Sequence, residues 1–272
     1  MTEAKQGIGL VLVGSYEHLF SANVRNGNIG SLRSDRFSVG AQLSQAAWGG
    51  NMTTIASYSD IAYDFHGTVG AFGTVNKIGV SEYYTHDIQG NWGVFGYAAA
   101  GLIAENAASL SDGGQFAIAA GPTYKFSKDL NVAFGPMYYN RLEDSGTFTL
   151  KAEANWNFLP QWSLHAYAGV TNGVTIAYDL FNDDQTVIFA SADYNSTWIR
   201  LSPIPAGNRS VNETYTNAKL GIRQIFAGHY FVRAYIEQVL NREYQFHTAG
   251  HSSYSFDVHN TMGIGVEAGV AM

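Results

Sequence analysis

The chain has 272 residues, only 14% of them charged, against about 25% in soluble domains. It has no cysteine, which excludes disulfides, thiol chemistry and Cys-ligated zinc. A formal charge of −7 argues against a nucleic-acid partner, and no segment approaches the ~18 apolar residues of a membrane helix.

From the start the chain alternates apolar and polar residues, the period of a strand with two different faces. The pattern predicts strands over 8–20, 37–48, 52–65, 75–84 and 92–105. Between them lie a polar loop at 21–35, a tight turn at 49–51, a Gly-rich loop at 66–73 and a turn at 86–91. After a loop at 106–114 come three clear runs, 115–126, 130–142 and 148–158. In the first, Phe116, Ile118, Ala120, Pro122, Tyr124 and Phe126 oppose Ala117, Ala119, Gly121, Thr123 and Lys125. Short connections at 127–129 and 159–161 bracket them, and a further one lies at 143–147. Strands follow at 162–170, 174–181 and 185–195, with turns at 171–173 and 182–184. The longest loop covers 196–213, and the final strands are 215–226, 230–245 and 258–272, with a turn at 227–229 and a loop at 246–255.

These runs exceed the ~5–6 residues of an ordinary soluble strand and match the ~9–11 that cross a bilayer when tilted. A soluble β-sandwich also alternates, but long strands with few charges and aromatic ends favour lipid. The expectation is an all-β fold: one antiparallel up-and-down transmembrane β-barrel spanning 1–272. It has about 14 strands, with short periplasmic turns and longer extracellular loops. A count of twelve follows if two shorter segments merge. Hydrocarbon supplies no hydrogen bonds, so the last strand must pair with the first. The expected location is the bacterial outer membrane, with lipid as a partner and an export signal already removed, since the chain enters a strand at once.

The order Trp92-Gly-Val-Phe-Gly, Gly113-Gly114, Gly121-Pro-Thr-Tyr124, Pro160-x-Trp162 and Tyr178-Asp-Leu180 resembles a family of bacterial outer-membrane barrels known only as a domain of unknown function. The likeness covers roughly the middle half of the chain. It implies an outer-membrane barrel and carries over no activity.

If the apolar faces meet lipid, the lumen is lined by Lys77, Lys125, Lys151, Glu153, Asp179, Lys219, Arg223, Arg233, Glu237 and Glu267. Both signs are mixed, which suits cross-strand pairing or a constriction better than a ring of one sign. The Ala and Gly residues of the same faces leave space. Trp92, Tyr138, Trp156, Trp162, Tyr178 and Tyr230 fall at strand ends, as membrane-interface aromatics do. The expected function is a porin-like channel or binding barrel for small polar solutes, without catalytic residues, cofactor or metal. A closed structural barrel with partner-binding loops is the first alternative. The second is a lipid hydrolase using Ser163 and His165, with Asp179 orienting the histidine. His247 and His251, four apart in an expected loop, are not held on one face for a metal.

Overall fold

A computed structural model describes residues 8–25, 30–67, 72–105, 114–140, 146–201, 210–248 and 251–272. The strands, in chain order, are β1 (Gly9–Asn23), β2 (Gly30–Ala47), β3 (Gly50–Gly67), β4 (Thr74–Gln89) and β5 (Trp92–Glu105). They continue as β6 (Gly114–Lys125), β7 (Leu130–Asn140), β8 (Thr147–Leu159), β9 (Trp162–Ala168) and β10 (Asn172–Asp179). The last are β11 (Thr186–Arg200), β12 (Ser210–Phe226), β13 (Tyr230–Thr248), β14 (His251–Val258) and β15 (Thr261–Ala271). Neighbours in the chain pair antiparallel, and β15 pairs with β1 from Val11↔Ala271 to Leu19↔Gly263. Both β14 and β15 lie along β13 and form one stave interrupted at His259-Asn260. The result is a closed antiparallel barrel of 14 staves, as the sequence pattern implies.

In the part nearest the short turns, the outward face is apolar. Leu12, Phe37, Val80, Ile118, Phe134 and Ile264 are between 41% and 53% exposed. Such a continuous apolar exterior is a lipid-facing surface. The short-turn end is the periplasmic end in barrels of this kind. Its turns are built by backbone choice: Trp48 and Gly49 have φ of 47° and 79°, the pair of positive values that a two-residue hairpin turn needs. That places the first hairpin turn at 48–49 rather than at 49–51. β4 likewise continues through most of the expected turn at 86–91 and turns at Gly90-Asn91.

The largest departure lies at the other end. Much of the segments expected as loops at 21–35, 196–213 and 246–255 is strand: β2 begins at Gly30, β11 reaches Arg200, β12 begins at Ser210, and β13 and β14 form a hairpin. Residues 26–29, 202–209 and 249–250 of those loops lie outside the described residues, as do 68–71, 106–113 and 141–145. The physical reason is an inversion of polarity. Above the membrane the same strands turn apolar residues inward and polar ones outward. Leu32, Ile61, Tyr63, Val211, Tyr244 and Phe256 are buried inside. On the outside, Arg33 pairs with Asp64 at 2.8 Å, and Asp35 takes bonds from Tyr16 and His18 at 2.5 and 2.7 Å. A lipid-facing pattern therefore passes into that of a water-facing sheet.

The staves are of unequal height. β2 and β3 have 18 residues each and β13 has 19, whereas β9 has 7 and β10 has 8. The low side of the wall is β6–β10. Above it β11 crosses to β5 and meets it in parallel at Arg200↔Ala104. The upper parts of β1–β5 and β11–β14 thus close on themselves as a narrower cap. Its interior holds Tyr63, Phe72, Tyr244, Phe246 and Phe256, with ring centroids 4.9 Å apart for Tyr63–Phe72 and 5.1 Å for Tyr244–Phe256. At the base of the cap the ladder is irregular in four adjacent staves. The register shifts between Leu19 and Ala22 in β1 and between Thr214 and Thr216 in β12, Asn241 in β13 has φ of 51°, and the last stave breaks at 259–260. Bulges bend strands, and this line of them is where the tall wall leans toward β5.

Candidate functional site

Below the cap, on the β10–β15 side, the lumen contains a cavity of about 390 Å³ lined by Tyr167, Asp193, Lys219, Arg223, Arg233 and Glu267 among others. It shares the lining residues Ala177, Val187 and Arg223 with a wider vestibule of about 650 Å³ at the periplasmic rim, so the two adjoin. The register sets these side chains: Arg223 faces Arg233 directly across β12 and β13, and Arg233 faces Glu267 across β13 and β15. Arg233 Nη1 lies 3.4 Å from Glu267 Oε1 and its guanidinium stands 5.1 Å from the Phe189 ring. Arg223 is different. Among the described residues it has no ion pair, and its buried Nε has no hydrogen-bond partner. Like charges directly opposite repel, and Arg223, which no carboxylate touches among the described residues, places positive charge at the mouth of the cavity.

Higher up, charges are paired. Glu17 Oε1 meets Arg36 Nη1 at 3.1 Å, and Glu17 Oε2 takes Lys219 Nζ and Tyr235 Oη, each at 3.0 Å. Lys219 also lies 3.6 Å from Glu237 Oε2 and 4.4 Å over the Tyr235 ring. Inside the cap, Glu213 Oε1 accepts bonds from Arg242 Nε at 2.9 Å, Arg242 Nη2 at 2.7 Å and Tyr244 Oη at 2.8 Å. Tyr63 Oη donates to its other oxygen at 2.9 Å. Glu213 is 1% exposed and Arg242 5%. The described interior of the cap is therefore filled by rings around one saturated ion pair.

The ten residues expected in the lumen all stand on inward faces, but at different heights. Lys219, Arg223, Arg233 and Glu267 line the charged cavity, with Glu237 buried above it. Lys151 and Glu153 lie across the lumen, Lys151 Nζ 4.5 Å over the Tyr97 ring and Glu153 3.2 Å from His165 Nε2. Lys125 is at the periplasmic rim, bonded to Asp87 at 2.6 Å. Asp179 is also at the rim, where it accepts the backbone N–H of Asp184 at 2.8 Å and of Phe181 at 3.3 Å, closing the turn after β10. Lys77 faces a separate space on the β3–β7 side. The expected room persists beside Ala117, which borders the space on the β3–β7 side, whereas Ala119 and Ala133 are buried in a cluster with Phe95 and Met137.

Ser163 and His165 share the inner face of β9, but among the described residues no hydrogen bond joins them. His165 bonds Glu153, and Asp179 is committed to its turn. The hydrolase constellation is not assembled. Among the described residues no group of three acidic or histidine side chains is placed to hold a metal. His247 is the last described side chain of β13, and that of His251 lies outside the described ones. The aromatics sort to two levels. Trp92 contacts Tyr124 at 4.6 Å and Trp162 contacts Tyr178 at 4.8 Å, with Trp156 and Tyr230 at the same periplasmic end. Tyr138, 5.0 Å from Phe148, stands at the opposite boundary.

Sequence reasoning missed Glu17, Arg36, Glu213 and Arg242. The one available signal was that Glu17 is the only acid within the first strand. Arg36 fell between an expected loop and an expected strand, Glu213 at the end of a segment read as loop, and Arg242 meets its partner Glu213 from another strand.

No family model and no curated protein matches the chain. Solved structures do. An outer-membrane channel from Pseudomonas putida F1 is similar with a TM-score of 0.55 at 10% identity, covering 99% of this chain and 97% of that one. The translocator domain of the autotransporter NalP from Neisseria meningitidis gives 0.43 at 11% identity, covering 99% and 89%. OprB from Pseudomonas putida gives 0.45 at 10%, covering 98% and 94%. At these identities the likeness to the first establishes the fold, that of bacterial outer-membrane β-barrels.

Proposed function

We propose that this barrel is an outer-membrane channel for small polar solutes, seen with its extracellular mouth shut. The observation that carries the reading is the charged cavity beneath the cap, which adjoins the periplasmic vestibule and holds Arg223 without an ion pair among the described residues. Fixed charge in a hydrated lumen selects among solutes and ions. Arg223 makes that selection anionic, since Lys219 is already matched by Glu17 and Glu237, and Arg233 by Glu267. The shared fold of the Pseudomonas putida channel supports the same class of function.

The test is planar-bilayer conductance of the refolded chain with reversal potential in a salt gradient. The expected result is rare or small steps in the wild type. Frequent anion-selective steps follow when the cap is loosened by Glu213→Ala. Silence of both proteins, each shown to be folded by heat-modifiable mobility, overturns the channel reading. It favours the second one, a closed structural barrel whose extracellular end contacts a partner. The filled interior of the cap is the observation on that side.

A further inference from the structure

Above the charged cavity, on the β3–β7 side, is a second space of about 340 Å³. Its walls are mostly apolar: Ile55 from β3, Tyr97, Ala99 and Ile103 from β5, Ala117 from β6, and Val170 from the turn after β9. On the outer side the wall is one backbone thick. Gly79 faces Gly101 across β4 and β5, and a lipid-facing apolar groove lies directly behind the pair. A space of this size and lining is at the lower end of small-molecule sites, which are largely apolar with a few placed polar groups.

One cation reaches into it. Lys77, on the inward face of β4, lines the space, and among the described residues its ammonium has no hydrogen bond and no ion pair. The acids around the lumen are engaged elsewhere: Glu17 by Arg36 and Lys219, Glu213 by Arg242 and two tyrosines, Glu153 by His165. An ammonium withdrawn from water without a counterion costs several kcal/mol. Every other lysine of the upper lumen has a partner: Lys219 has two carboxylates, and Lys151 has the faces of Tyr97 and Tyr83. Glu213 and Glu17 attract Lys77 from beyond contact distance, but neither meets its ammonium, and an apolar chamber with one cation that no carboxylate touches has the complementary form of an amphipathic anion.

We propose that this space binds a small carboxylic acid with an apolar body, its carboxylate on Lys77 Nζ and its body against Ile55, Tyr97, Ile103 and Val170. Ser57, Ser81 and Gln115, which also line the space, supply hydroxyl and amide groups for the second carboxylate oxygen. The site is separate from the charged cavity and does not require that anything cross the membrane.

The test is isothermal titration of the full chain, refolded in a non-ionic detergent, with decanoate, with decanol and with acetate. Decanoate is expected to bind saturably at one site. Decanol, which has the body without the charge, and acetate, which has the charge without the body, bind at least tenfold more weakly. Lys77→Met keeps the bulk and removes the charge, and it brings decanoate down to the level of decanol. Lys77→Arg retains the preference for decanoate. Equal binding of decanoate and decanol by the wild type, undiminished decanoate binding by Lys77→Met, or no decanoate binding at all would each overturn the proposal. Both variants are checked for the heat-modifiable mobility of the folded barrel. The readout is binding, so its failure leaves the conductance test of the channel reading untouched.

Discussion

Replacing Glu213 with Gln isolates the energy that holds the cap shut. The substitution keeps the shape and an acceptor for Tyr63 or Tyr244 but removes the charge that Arg242 meets at 2.7 and 2.9 Å. Arg242 is buried among the rings of Tyr63, Tyr215 and Tyr244, with its guanidinium 5.3–5.9 Å from their centroids. These ring faces attract a cation but do not neutralise it. Removing one partner of a buried pair costs about 3–5 kcal/mol. The lower barrel persists when the cap opens, so the loss appears in local opening rather than in global unfolding. Hydrogen exchange of the cap amides in β3 and β13 reads it directly. The expected acceleration is between about a hundredfold and several thousandfold, at roughly 1.4 kcal/mol per factor of ten. Amides of β7 and β8, on the low side, stay unchanged. The double variant Glu213→Gln, Arg242→Met restores most of the protection, because two well-packed neutral groups replace one stranded charge. Acceleration below about fivefold in the cap amides would refute the reasoning and would mean that water already reaches the pair.

Other outcomes follow from named contacts. Arg223→Glu reverses the sign of the charge opposite Arg233 and should move the reversal potential of any open channel toward cations, while Arg223→Lys leaves its sign unchanged. Gly121 and Gly135 face each other where Pro122 and Pro136 interrupt the β6–β7 ladder, and a Cβ on either would overlap the other strand's backbone carbonyl. Gly135→Ala should therefore cost about 1–3 kcal/mol, as overpacking does, in urea unfolding followed by mobility shift. At the closing seam the Tyr235 ring lies over Gly265. Gly265→Ala should push the ring away and release its bond to Glu17, again lowering the urea midpoint, and Tyr235→Ala in the same chain should relieve most of the clash.

The membrane part of this barrel was legible because one rule governs it: apolar out, small or polar in. β5 was read to the residue, since Trp92 marks the interface and alternation runs unbroken to Glu105. The extracellular staves were lost where the rule inverts. Arg33 and Asp35 look like loop residues to a pattern tuned to lipid, although each stands on the watered face of β2. The meeting of β11 with β5 was not legible at all, because five staves, β6–β10, lie between them around the ring and no local pattern couples Arg200 to Ala104. For the site, alternation alone assigned the inward faces of Lys219, Arg223 and Arg233. It could not supply their partners: Glu17 is 202 residues from Lys219, and only closure of the sheet brings the two together.

The cap's joint has a directional consequence. Around most of its circumference the cap is held by continuous antiparallel ladders, such as the run from Arg200↔Ser210 down β11 and β12. Between β11 and β5 the ladder of the described residues is a single parallel bridge, Arg200↔Ala104, with the packing and side-chain contacts beside it. A ring parts where its stitching is sparsest. That place stands on the side of the low staves β6–β10, so a gap there would face sideways. A solute leaving or entering by that route would travel along the membrane surface, and its encounter with the protein would be a search in two dimensions.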